Sequence, residues 1–262
     1  MGFVMFDLDN YSLLTILLVG LVVVLGASEI GRWLGAHSDD HGSSDVSTLE
    51  SAVFGLLALM IGFTFAMALS RFETRRDAVL NEANAIGTTA LRARLLPEPE
   101  RKEVLKLLNQ YVKIRLEITQ RPASRTELMT AISRSNELQE SLWQQATTLA
   151  AKNNGMVPTG LFIQALNEMI DNQGKRLAAL RNRVPNIVLL SLFGIAIVGS
   201  GFAGYANGLD PRRTQVPVYI TAILVSGVIF LILDLDRPSG GFIAVSQQPM
   251  IDTAASIDAL SN

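Results

Sequence analysis

The feature that most constrains this chain is an uncharged run that passes into a charged one with no helix breaker between them. Ser51 to Ser70, SAVFGLLALMIGFTFAMALS, holds 20 residues with no Asp, Glu, Lys or Arg, about the number a helix needs to cross a hydrocarbon core. The sequence continues as RFETRRDAVLNEANAIGTTALRARLL and meets its first proline only at Pro97. Glu50 to Pro97 therefore reads as one helix that leaves a bilayer and carries on into water. On its apolar part Phe54, Ile61, Phe65 and Phe72 recur at offsets of 0, 7, 11 and 18, which puts four bulky side chains on one helical face. Gly55, Ala58, Gly62, Ala66 and Ser70 form a separate stripe of small residues, the kind of surface that lets a second helix come close.

Three more apolar runs have spanning length: Tyr11 to Ala27, Ile187 to Ala206 and Val216 to Leu233. The expected fold class is thus an all-α integral membrane protein of four transmembrane helices, two before a helical insert and two after it. The corresponding domains are 1–70 (helices 1 and 2), 71–185 (a cytoplasmic helical domain continuous with helix 2), 186–237 (helices 3 and 4) and 238–262 (a cytoplasmic tail). Before Tyr11 stand Asp7 and Asp9 and no Lys or Arg. A secretory signal would carry a basic segment there, so the first run is expected to be retained. Of the 22 Lys and Arg, 18 lie between Arg71 and Pro185, and those near the membrane ends place that segment inside. Both termini are then cytoplasmic. Arg212 and Arg213, in an outer loop on this topology, oppose the assignment and are outnumbered. With no cysteine in the chain, disulfides and thiolate chemistry are excluded.

The loop from Gly35 to Ser47 contains His37, Asp39, Asp40, His41 and Asp45. These are metal-ligand types, but the segment has no periodic scaffold to hold them and is read as a solvated turn, with no metal or cofactor expected. Pro97 and Pro99 end the long helix and start another, about Glu100 to Thr119, with Val104, Leu107, Leu108, Tyr111 and Ile114 on its packing face. Ser124-Arg125-Thr126-Glu127 is a capping box opening a helix from Arg125 to Lys152, which Asn153-Asn154-Gly155 ends. A fourth helix after Thr159 is expected to pack through Leu161, Leu166, Met169, Ile170 and Leu177, and Pro185 should kink or break the chain before the third span. Ala196, Ser200, Gly204 and Gly208 recur every four residues in that span and suit close helix contact. After the fourth span an irregular segment is followed by a short helix near the end.

No phosphate loop with its lysine, nucleophile elbow or converging catalytic set is present, so no enzyme is expected. Bases and acids alternate in the insert, the pattern of solvated helix faces, and nucleic acid is not an expected partner.

Two stretches carry a family resemblance: Phe63 to Pro99, with Glu82-Ala83-Asn84-Ala85-Ile86-Gly87 at its centre, and Leu233 to Met250, which opens Leu233-Asp234-Leu235-Asp236-Arg237-Pro238. They resemble the bestrophin-like family of bacterial membrane proteins, whose two-span, insert, two-span plan covers the whole chain. That family is named for a remote similarity to bestrophins, pentameric anion channels whose second span lines the pore with bulky apolar side chains. The resemblance implies a homo-oligomeric, pentameric, anion-conducting channel with helix 2 at the pore. On this chain the lining would be Phe54, Ile61, Phe65 and Phe72, with Arg71, Arg75 and Arg76 at the cytoplasmic mouth. Taken singly, these residues equally suit lipid-facing or packed positions in any span. The acidic calcium-binding cluster that follows the last span of bestrophins is not matched here, so calcium gating is not carried over. Glu73, Asp77, Asp234, Asp236 and Arg237, with the arginines, are expected to form a paired network at the cytoplasmic interface, and Glu82, Asn84 and Gly87 mark the family motif without an evident physical task. The other functions the sequence suits are a non-conducting membrane scaffold or stress sensor whose helical insert binds a partner, and a cation channel with Glu29, Asp39, Asp40, Asp45 and Glu50 at its outer entrance. Expected partners are further copies of the chain, the lipid bilayer and inorganic ions.

Overall fold

In a computed structural model of the chain, which describes residues 11–38, 43–120, 125–152, 157–210 and 214–261, eight helices follow one another. They are α1 (Leu13–Ala36), α2 (Ser43–Ala93), α3 (Glu100–Gln120), α4 (Arg125–Lys152), α5 (Val157–Arg181), α6 (Asn186–Gly208), α7 (Val216–Asp236) and α8 (Gln248–Ser261). Four helical stretches are long and apolar enough to cross a membrane, and they contain α1, α2, α6 and α7. Ser12 caps α1 by accepting from the Thr15 amide at 3.1 Å. The chain forms two units whose boundary falls within α2, between Phe72 and Glu73.

The first unit takes the described residues of Met1–Phe72, Arg183–Arg237 and Gly241–Ile243. Here α1 packs on α6 and α7, and α6 on α7. In lipid, helices gain nothing from hiding apolar surface from one another, so their association rests on close packing. The α1–α6 pair is built that way. A β-carbon on Gly31 would fall 2.0 Å from the Gly201 carbonyl oxygen, and one on Gly35 2.3 Å from that of Tyr205. From the other side, a β-carbon on Gly204 would come within 1.9 Å of the Ser28 carbonyl oxygen, and one on Gly208 within 2.3 Å of that of Arg32. The small-residue stripe of α6 thus does what its spacing predicts, with α1 as its partner. The small stripe of α2 behaves differently: a β-carbon on Gly55 or Gly62 would meet nothing within 4 Å.

The second unit takes the described residues of Glu73–Asn182, Pro238–Gly240 and Ala244–Asn262. Its core brings Ile86 and Ala90 of α2, Val104, Leu108 and Tyr111 of α3, Leu142 of α4, Phe162, Leu166 and Met169 of α5, and Met250 and Ile257 of α8 into one cluster. The five expected packing residues of α3 are all buried.

Several boundaries move. Helix α1 runs nine residues beyond Ala27, to Ala36, and α2 is already helical at Ser43 rather than Glu50, because no proline stops either end. Helix α5 begins at Val157, ahead of Thr159, with Pro158 in its first turn, where a missing N–H costs nothing. Residues 182–185 are non-helical, the break expected at Pro185. The expected packing residue Leu161 is 36% exposed and Phe162 is buried instead. His37 Nδ1 lies 2.8 Å from the Trp33 carbonyl oxygen, and its ring rests against the Trp33 indole. Asp39, Asp40, His41, Ser124, Asn153, Asn154, Gly155, Arg212 and Arg213 lie outside the described residues, as does the side chain of Asp45. Among the described residues no group of three His, Cys, Asp or Glu is placed to hold a metal ion.

Replacing Gly204 by Leu should force α1 and α6 apart and cost at least about 1–3 kcal/mol, read as a lower thermal midpoint and loss of a monodisperse peak in detergent. Gly194→Ala, where a β-carbon meets nothing within 4 Å, should leave both unchanged.

Candidate functional site

The membrane part of α2 has three sectors. Leu57, Thr64 and Ala68 form a buried line, and the Thr64 hydroxyl is satisfied by donating to the Met60 carbonyl at 2.7 Å. Phe54, Ile61, Phe65 and Phe72 run beside that line, half-buried and packed on the core of the first unit. The ring of Phe54 lies against Gly199 of α6, where an added β-carbon would meet it at 3.5 Å. The remaining arc, including Gly55, Leu59, Gly62, Phe63 and Ala66, is left open by its own chain. The four bulky residues do share one face, then, but it is the edge of the uncovered arc. Among the basic residues that follow, Arg75 is buried, Arg71 half-buried and Arg76 exposed; Glu73 and Asp77 are exposed.

At the end of α7 two carboxylates shape the chain. Acidic residues in a last turn face the negative end of the helix dipole, so their presence calls for partners, and both have them. Asp234 accepts from the backbone amides of Phe242 at 2.7 Å and Ile243 at 2.9 Å, folding the segment after α7 back on the helix end. That return passes through Gly240, whose φ of +77° suits glycine. It also requires Gly241, where a β-carbon would fall 2.4 Å from Asp234 Oδ1. Asp236 accepts from the Val184 amide at 2.9 Å and lies 3.4 Å from Arg183 Nε, tying α7 to the break before α6. Arg237 donates to the Tyr11 carbonyl at 2.6 Å. The Asp-Leu-Asp-Arg-Pro-Ser-Gly-Gly motif is therefore a chain-reversal device.

The second unit contains a charge cluster that periodicity did not reveal. Glu82 is fully buried. Its carboxylate accepts from Arg115 Nε at 2.7 Å and Nη2 at 3.2 Å, and from Arg176 Nη1 at 2.6 Å. Tyr111 donates to it at 3.3 Å. From there the network spreads through Gln173 and Gln139, which bond each other, to Asn136, whose Oδ1 accepts from Gln173 at 3.2 Å. In the other direction Arg176 Nη2 donates to Gln247 Oε1 at 3.0 Å, just ahead of α8. Burial pushes the Tyr111 phenol far above its ordinary value, with the Glu82 charge adding to it, so it remains a donor. Burial also lowers the Arg176 guanidinium, against the opposing pull of Glu82.

This gives the motif its physical content. Glu82 anchors α2, α3 and α5, while Ala83, Ala85 and Ile86 fill the core. Ala83 also accepts from the Thr253 hydroxyl of α8 at 3.3 Å. Asn84 is exposed, and Gly87 is half-buried with only a methyl of Thr253 near, 3.9 Å from where a β-carbon would stand. One signal was available in the sequence: Arg115 continues the apolar line Val104, Leu108, Tyr111 on α3, and a buried arginine demands an anion.

These features define a multi-pass, all-helical membrane protein with a helical insert between its second and third spans. Residues 14–250 match the model of the Bestrophin-like domain, and the chain belongs to the bestrophin-like family. Its fold is similar to that of a bacterial bestrophin homolog from Klebsiella pneumoniae. One single-substitution variant of that protein superposes with a TM-score of 0.68 at 15% identity, covering 95% of this chain and 96% of the other. A second variant gives 0.66 at 15% identity over 94% and 96%, and a structure phased from zinc gives 0.64 at 15% identity over 94% and 95%. No curated protein matches the sequence.

Glu82→Gln leaves two buried guanidinium groups around a neutral amide and should cost about 3–5 kcal/mol, seen as a large drop in the unfolding midpoint followed by the fluorescence of Trp143, which packs on this core. A pH effect follows from two outer pairs. The amide of Asn109, then Lys113, holds the Asp258 carboxyl below its ordinary value. Bonding to Lys152 does the same for Glu100. Both carboxyls are depressed in the folded chain, so their contribution is complete above the ordinary carboxylate range and is lost as pH falls through the lowered values. Amide protection factors, that is exchange rates corrected for their intrinsic pH dependence, should fall over that acid window in α8, which carries Asp258, and in the α3–α4 pair joined by Glu100 and Lys152, and stay flat from pH 6 to 8.

Proposed function

We propose that the protein is a homo-oligomeric, anion-conducting channel of the bacterial inner membrane, pentameric like the bestrophins its family is named for, with both termini and the helical insert in the cytoplasm. The observation that carries this reading is the uncovered arc of α2. It is a spanning helix with one sector packed on its own chain and a wide sector, rich in small residues, that its own chain leaves open. Such a helix is suited to stand beside copies of itself around an axis. Phe54, Ile61, Phe65 and Phe72 then form apolar rings that close the path by dewetting and open it by widening. Arg71 and Arg76, repeated by symmetry, raise the anion concentration at the inner mouth, while Arg75 is buried within its own chain. Asn84 faces a neighbouring copy.

The edge position of the four bulky residues favours a second arrangement of the same channel. In it Gly55, Leu59, Gly62 and Ala66 face the axis, while Phe54, Ile61, Phe65 and Phe72 fill the seams between adjacent subunits.

Purified protein in planar bilayers should pass unitary currents, with reversal potentials in asymmetric chloride following the anion gradient. Silence across repeated reconstitutions would leave the non-conducting scaffold or sensor, and a reversal set by potassium would make it a cation channel. Because the chain has no cysteine, single cysteines can be introduced without background. Block by a charged thiol reagent at positions 54, 61, 65 and 72 supports the apolar-ring lining, and block at 55, 59, 62 and 66 the second arrangement.

A further inference from the structure

The outward side of α3 is not the evenly mixed solvated face that its alternating charges suggest. Arg101, Lys102, Lys106, Asn109 and Gln110 recur at offsets of 0, 1, 5, 8 and 9, so they share one side, and Glu98 stands just ahead of the helix and lines the same cleft. Opposite them stand Arg94, just past the end of α2, and Leu260 near the end of α8. Together they line an open cleft of about 780 Å³ floored by the buried Leu105, within the size range of small-molecule sites. The cleft lies wholly in the second unit.

Its charge is lopsided. Four cationic side chains line it against one carboxylate, that of Glu98, which is already taken by Arg101 Nε at 2.9 Å. Lys106 lies 3.6 Å from Glu103. Asn109 is engaged with Asp258. Arg94 and Lys102 have no carboxylate partner among the described residues. Arg101 and Lys102 stand in the first turn of α3, whose dipole adds positive potential, while Arg94 and Leu260 stand at the C-terminal ends of α2 and α8, whose dipoles offset it, so the excess of charge rests on the side chains.

We infer that this cleft binds a phosphate-bearing anion, with Arg94 and Lys102 as its free ligating cations. A phosphoryl group carries about −1.5 to −2 charges near pH 7, so two adjacent ones balance the lining. Guanidinium forks match their oxygens in pairs. The source is either a soluble diphosphate or the headgroup of an anionic lipid, and binding is independent of ion conduction.

The test uses the full chain, titrated calorimetrically with inorganic pyrophosphate in a neutral detergent, with sodium sulfate at matched ionic strength as the control. Saturable pyrophosphate binding that sulfate does not reproduce is expected, weakened at least about tenfold by Arg94→Ala with Lys102→Ala. Neither side chain is in the core, and the helical circular dichroism and gel-filtration profile should be unchanged. Arg94→Lys with Lys102→Arg should restore most of the affinity. The same titration in phosphatidylcholine nanodiscs, with and without phosphatidylglycerol, separates the sources. Binding in both assigns a soluble ligand, and binding abolished by phosphatidylglycerol assigns the lipid headgroup. Absence of saturable binding, or equal affinity in the double alanine variant, overturns the site.

Discussion

One carboxylate sets the plan of the second unit. Two arginines and a tyrosine converge on Glu82 from α3 and α5, and only a backbone that brings these helices together at one height satisfies all of them. Apolar contacts tolerate sliding by a turn; a buried ion pair with several directed hydrogen bonds does not. The cluster is costly, because three charges are taken out of water. Part of that cost is offset by amides reaching Asn136 in one direction and Gln247 in the other, while Arg115 Nη1 is left without a hydrogen-bond partner among the described residues. Register in this unit is thus specified by polarity, with Ile86, Leu108, Phe162 and Met169 among the apolar residues fully buried around it.

The first unit solves the same problem by shape. Where lipid already satisfies apolar side chains, backbone proximity between α1 and α6 replaces hydrophobic burial as the source of specificity. The end of α7 adds a third device, in which Asp234 and Asp236 accept backbone amides that would otherwise be left unpaired at a chain reversal and a helix break.

The helices were largely legible because their signals are local. Apolar length placed the spans, prolines at 97, 99 and 185 marked interruptions, and α4 follows the run expected between Arg125 and Lys152. The α6 stripe was legible as a contact surface, although its partner α1 could not be named, since a spacing of four residues does not say which helix it meets. The polar network was missed for a physical reason. Asn172, Gln173 and Arg176 lie on the buried side of α5, and periodicity that counts only apolar residues assigns such positions to solvent. In the same way, Asp234 and Asp236 looked like membrane-surface charges, whereas they accept from main-chain amides eight or nine residues away and across the break at 182–185.

The glycine notches between α1 and α6 also bear on how the protein is made. Gly31 and its partner Gly201 are separated by most of the chain, about 170 residues, which at a translation rate of about 5–20 residues per second puts about 10–35 s between their synthesis. For that interval α1 sits in the bilayer with its notch unfilled. The second unit's helices α3, α4 and α5 must emerge before α6 can enter and close it. A span that waits this long presents its small-residue face to any other helix nearby until its own partner arrives.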